Sequence, residues 1–169
     1  GSSSGWTGAD SPVGGGGNSI LALTNTLVNF AAADATSQDT QSETGLVLGS
    51  GSNIICGFND SGSYLGGASK FTGWSRSTDG GTTWTDGGAL PTNASGDAGD
   101  PALARNTTTG RVYMSTLAFT ANTLQIWRSD DNGATWLAPV NGSPGQASGS
   151  QDKEWIAVDN FVGTGNGNV

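Results

Sequence analysis

From residue 43 onward, short apolar runs alternate with turns rich in Gly, Ser, Thr and Asn, and the runs come in the same order twice. The first series is LVL (Leu46 to Leu48), the turn GSGS, the run NIICGFN (Asn53 to Asn59), and KFTGWSRS (Lys70 to Ser77). It leads into the stretch SRSTDGGTTW, after which polar residues follow Trp84. The second series is PALAR (Pro101 to Arg105), NTTTG, RVYMSTLAF (Arg111 to Phe119), and LQIWRS leading into WRSDDNGATW, which ends at Trp136. A third begins with WIAVD (Trp155 to Asp159), continues through the loop NFVGTGNG and reaches the start of a strand at Asn168 and Val169. Runs this short, bounded by turn residues, predict β-strands and exclude long helices. The order predicts four antiparallel strands per unit of about 50 residues.

The two units share the frame SxDxGxTW, filled by Ser77, Asp79, Gly81, Thr83 and Trp84, then by Ser129, Asp131, Gly133, Thr135 and Trp136. Ser77 and Ser129 stand 52 positions apart. The frame falls where the third strand turns into the fourth. A tight hairpin there needs positive φ, which Gly80, Gly81, Asn132 and Gly133 supply at little steric cost. Asp79 and Asp131 are expected to accept hydrogen bonds from turn N–H groups that the ladder leaves without partners. The tryptophans then cover the turn.

Composition narrows the chemistry. There are 169 residues with 29 Gly, and 6 Lys and Arg against 14 Asp and Glu, for a net charge of −8. That charge repels the phosphate backbone on which nucleic-acid affinity depends, so nucleic acid is not an expected partner. With no His and one cysteine, Cys56, the chain has no Ser/His/Asp or Cys/His relay, no internal disulfide and no zinc cluster. No apolar run is long enough to span a membrane. Residues 1–19 read as a flexible Gly/Ser-rich lead-in, and low Lys with abundant Gly, Ser, Thr and Asn suits a secreted, extracellular chain.

SxDxGxTW is the Asp-box, or BNR repeat, and over residues 40–169 the chain resembles the bacterial sialidase-like superfamily of Asp-box β-propellers. GDPALARNTTTGRVYMS and DKEWIAVDN are similar to the starts of further blades in that superfamily. The resemblance implies an all-β propeller portion over residues 20–169, with blades at about 43–98 and 99–151 and a third starting at 152. Complete rings of the superfamily have six or seven blades. This chain is therefore expected to be part of a longer protein, or to complete a ring by self-association, with ILALTNTLVNF (Ile20 to Phe30) a strand available for that purpose. In the superfamily the box lies at the blade periphery, which makes its residues structural.

One acid opens each unit: Glu43, Asp100 and Asp152, at spacings of 57 and 52. Innermost strands line a propeller's channel, so three carboxylates are expected to ring one mouth, as a Ca²⁺ site or as acceptors for sugar hydroxyls. Each could equally turn the backbone at the start of its strand. Similarity to the sialidases implies three arginines clamping a substrate carboxylate, a Tyr–Glu nucleophile pair and an Asp acid/base, with the first Arg in an RIP-like motif. No RIP occurs, and neither Tyr64 nor Tyr113 has an identifiable Glu partner. Arg105, at the end of an innermost strand, is the one arginine suited to meet a ligand. The resemblance thus points to a glycan- or protein-binding scaffold module without a catalytic set of its own. The alternative is a fragment of an exo-acting, sialidase-like glycoside hydrolase.

Overall fold

A computed structural model describes residues 25–30, 41–61, 70–91, 93–120, 123–146 and 151–169. These form eight strands: β1 (Gln41–Leu48), β2 (Ile54–Asp60), β3 (Thr72–Ser77), β4 (Thr85–Ala89), β5 (Ala102–Arg105), β6 (Val112–Leu117), β7 (Leu124–Ser129) and β8 (Leu137–Asn141). They make two four-stranded antiparallel meanders, ordered β1-β2-β3-β4 and β5-β6-β7-β8. This is the expected all-β architecture of propeller blades, with two sheets among the described residues and the ring incomplete.

Each ladder follows from its sequence. In the first sheet Ile54 pairs with Ser77 and Asn59 with Thr72; in the second Val112 pairs with Ser129 and Leu117 with Leu124. Both third-to-fourth pairings carry an irregularity, between Trp74 and Ser75 and between Ile126 and Arg128. The turns between these strands are the SxDxGxTW segments.

The core lies between the sheets. Ile55 and Leu90 of the first unit meet Val112, Met114, Trp127 and Trp136 of the second, with Val47, Trp74 and Leu103 packed against them. Trp127 is fully buried, and its indole N–H donates to Thr116 Oγ1 at 3.0 Å. The close approach of the sheets requires glycine at two points. A Cβ on Gly45 would meet Leu103 Cδ1 at 2.9 Å, and one on Gly57 would meet Met114 Cε at 3.0 Å.

Three expectations need correction. Glu43 lies inside β1 rather than ahead of it, in the bulge that shifts register between Ser42 and Gly45. No strand forms over Trp155–Asp159 or at Asn168 and Val169; Asp159 N–H instead donates to Asn168 O at 2.9 Å and Gly167 N–H to Asp159 O at 2.7 Å, closing a turn without a ladder. Of Ile20–Phe30, the described residues 25–30 form no strand, and the Phe30 N–H donates to Asp86 of β4 at 2.6 Å. Ile20, and Tyr64 among the tyrosines, lie outside the described residues.

Candidate functional site

The two hairpin frames are built alike. Ser77 Oγ donates to Asp79 Oδ1 at 2.8 Å and accepts the Gly81 N–H at 2.8 Å; Thr83 gives Asp79 its N–H at 2.9 Å and its hydroxyl at 2.6 Å. In the second frame Ser129 Oγ donates to Asp131 at 2.8 Å and accepts the Gly133 N–H at 2.7 Å, and Thr135 donates to Asp131 at 2.9 Å and 2.6 Å. Gly80, Gly81, Asn132 and Gly133 have φ of 72°, 92°, 56° and 78°. The Thr83 hydroxyl and N–H, with the Ser77 hydroxyl, hold the Asp79 carboxyl down at about 2. Burial pushes Asp131 up, but the bonds from Thr135 and Ser129 outweigh it and its carboxyl is lowered. With both carboxylates saturated by their own turns, they have little left for a ligand.

The second frame also reaches across to the first sheet. Asn132 Oδ1 accepts the Ser50 N–H at 2.8 Å, and the Trp74 indole donates to Gly133 O at 2.9 Å. Trp74 and Trp136 meet edge to face, with ring centroids 6.5 Å apart. Trp84 keeps to its own turn, donating to Gly81 O at 3.1 Å.

At the other end of the sheets, where β1 and β5 begin, three segments come together. Thr44–Leu46, Pro101–Leu103 and the stretch Lys153, Trp155 and Ile156 line one cleft of about 140 Å³. Glu43 and Asp100 stand at its rim, each with positive φ, 50° and 58°, a conformation that costs a non-glycine residue energy and marks positions held by their surroundings. Asp100 is fixed from both sides by Asn59, whose amide donates to its Oδ1 at 2.9 Å and accepts its N–H at 2.6 Å. Glu43 Oε2 takes Lys153 Nζ at 2.8 Å. That bond raises the Lys153 ammonium above its ordinary value. The same Nζ lies 5.9 Å from the centroid of the Trp155 ring, which is 84% exposed.

Between them in sequence is Glu154, only 3% exposed, with no hydrogen bond from another residue to either carboxylate oxygen. Burial pushes its carboxyl up to about 7; the charges of Asp100 and Glu43 push the same way, and Lys153 and its own backbone N–H only partly oppose them. Asp97, in the loop before β5, is also buried, and desolvation raises it to about 6 against bonds from Thr72, Phe71 and Gly99.

Of the three acids read from the sequence, Glu43 and Asp100 reach this mouth. Asp152 is exposed two residues before Glu154, and no hydrogen bond or ion pair of the described residues involves it. Among the described residues no three His, Cys, Asp or Glu side chains are grouped to hold a metal ion. Of the carboxylates expected to hold Ca²⁺, Glu43 is taken by Lys153 and Asp100 by Asn59. Arg105 is elsewhere. It lies at the far end of β5, about 16 Å from Asp100 at the strand rise of ~3.3 Å per residue, and donates to Ser50 Oγ at 2.8 Å. Arg111 and Arg128 both pair with Asp130, at 3.0 and 3.1 Å, on the outer part of the second sheet.

Lys153, Glu154 and Asn59 were not singled out by sequence reasoning. Lys153 meets a partner 110 residues away and Asn59 one 41 away, separations that leave no local pattern. Glu154 had one visible sign, its place immediately before the apolar run Trp155 to Val158.

No protein family profile matches the chain, and no curated protein sequence matches it. Among solved structures it is similar to Hadza microbial sialidase Hz136, at 26% identity and a TM-score of 0.47, over 60% of this chain and 25% of that one. It is also similar to a GH43_1 enzyme from Xanthomonas citri solved with xylose, at 16% identity and a TM-score of 0.41, over 63% of this chain and 34% of that one. The chain thus spans about a quarter and a third of the lengths of these two proteins.

Proposed function

We propose that the chain belongs to a secreted Asp-box propeller that acts as a glycan- or protein-binding module, with its binding face at the mouth where β1, β5 and the segment 153–156 begin. The observation that carries this reading is the exposed Trp155 ring beside a cleft shared by three segments of the chain. The face of an exposed indole suits the apolar side of a pyranose or a side chain from another protein.

Titration of the chain with neutral sugars, followed through the Trp155 indole N–H signal, tests the reading. Saturable shifts at residues 44–46, 101–103 and 153–156, lost in Trp155→Ala with unchanged melting, support it. Shifts confined to the hairpin frames, or none with any sugar or extracellular protein, overturn it.

One observation favours the alternative, an exo-acting glycoside hydrolase. Glu154 holds its proton near neutral pH, as a general acid for glycoside cleavage must. Turnover of aryl glycosides by the chain, abolished by Glu154→Gln, would decide for it.

A further inference from the structure

The mouth carries three acids, Glu43, Asp100 and Glu154, and one cation, Lys153, in a chain of net charge −8. The position of that cation is informative. The Lys153 ammonium is held between the Glu43 carboxylate at 2.8 Å and the face of Trp155 at 5.9 Å, and the next residue, Glu154, buries a carboxyl with no hydrogen bond from another residue. A carboxylate and an aromatic face in a strongly acidic surround are the parts of a site for an organic ammonium group. Anionic ligands are disfavoured here, since nothing at the mouth answers their charge except a lysine already paired.

We propose that this mouth is a binding site for a primary ammonium group, carried by an amino sugar or a lysyl side chain, and that Lys153 is its internal occupant in the free protein. The inference rests on the reading of this mouth as the binding face and names its ligand chemistry. An external ammonium takes the place of Lys153 between Glu43 and Trp155, and Asp100 adds negative charge nearby. Lys153 thereby lowers the apparent affinity of the site by the fraction of time it is occupied in cis. Its pair with Glu43 is partly exposed, so displacing it is inexpensive.

The test is calorimetric and NMR titration of the chain and of Lys153→Met, at pH 7, with methylammonium, glucosamine, Nα-acetyl-lysine amide and neutral N-acetylglucosamine. Lys153→Met is expected to bind methylammonium at least tenfold more tightly than the parent, with the Trp155 indole signal shifting. Either Trp155→Ala or Glu43→Gln, added to Lys153→Met, removes the gain. The larger gain among glucosamine and the lysine amide identifies the source of the ammonium. Equal binding by parent and Lys153→Met, or an equal gain for N-acetylglucosamine, overturns the inference. If N-acetylglucosamine shifts Trp155 while no amine does, the inference fails and the glycan reading stands; if no probe shifts the mouth, both fail. Unchanged melting of each variant excludes unfolding as the cause.

Discussion

The indole N–H of Trp74, on the third strand of the first sheet, ends on the carbonyl oxygen of Gly133, in the hairpin frame of the second, at 2.9 Å. A single bond therefore ties one unit's strand to the next unit's turn. Trp74→Phe deletes that donor and shrinks the ring that meets Trp136 edge to face. We expect a loss of roughly 1–3 kcal/mol in denaturant unfolding, from one hydrogen bond and the lost ring contact. An unchanged midpoint would show that the sheets do not depend on this link.

The two frame aspartates are equal in their local bonds but not in their surroundings. Asp131→Ala is expected to lower the melting temperature more than Asp79→Ala, because loosening the second turn also releases Asn132 from Ser50 and Gly133 from Trp74. Both carboxyls sit below their ordinary values, Asp79 at about 2. Their stabilisation is therefore complete above the ordinary carboxylate range and is lost as pH falls from about 4 toward 2. Thermal melts over that range should steepen for the parent and flatten in the double variant Asp79→Asn/Asp131→Asn.

Gly80 and Gly133 share a positive φ and differ in space. A Cβ on Gly80 meets nothing within 4 Å, whereas one on Gly133 would lie 2.8 Å from Ile55 Cγ1. Gly80→Ala should cost about 1–2 kcal/mol, the left-handed penalty alone. Gly133→Ala should cost more, since it also forces the core apart at Ile55. Equal losses by chemical denaturation would contradict the packing described.

Glu154 gives the opposite pH sign from the frame acids. Its carboxyl is raised from an ordinary 4.5 to about 7, so the native state holds a proton that the unfolded chain releases. Stability on this account falls as pH rises from 4.5 through 7, and the cost is fully developed above 7. Glu154→Gln should be more stable than the parent at pH 8, on the order of 1–3 kcal/mol, with the difference vanishing near pH 4. Asp97, raised to about 6, imposes the same slope on both proteins and cancels in the comparison. Parallel pH profiles for the two would refute the burial assigned to Glu154.

What could be read from the sequence is what short-range chemistry dictates. The apolar runs and their turns gave eight strands in two meanders because each strand pairs with the next one along the chain. The glycines of the frame marked positive φ because few other residues tolerate it. The mouth was harder. Its members are separated in sequence by 41 and 110 residues, and the bulge at Glu43 displaces that acid from the frame offset of 52. A repeat offset tracks strand positions, and a bulge shifts every side chain that precedes it. The buried Glu154 left only a faint trace, since a charged residue in a polar-looking stretch gives no sign of losing its water.

The contact from Asn132 to Ser50 runs in one direction along the chain, from a later turn back to an earlier one across 82 residues. The same sense recurs further on, where Asn160 donates to Arg105 O at 3.0 Å and accepts the Thr107 N–H at 2.8 Å. Stacked units lean on those translated after them, and here part of the earlier unit's order depends on the later one. During synthesis the first sheet leaves the ribosome before the residues that clamp its turn exist, so its final order arrives retroactively, delivered by the unit translated after it. A nascent chain halted between Ala89 and Asn132 would carry four paired strands with an unclamped hairpin, and would reach full protection from hydrogen exchange only when translation resumed.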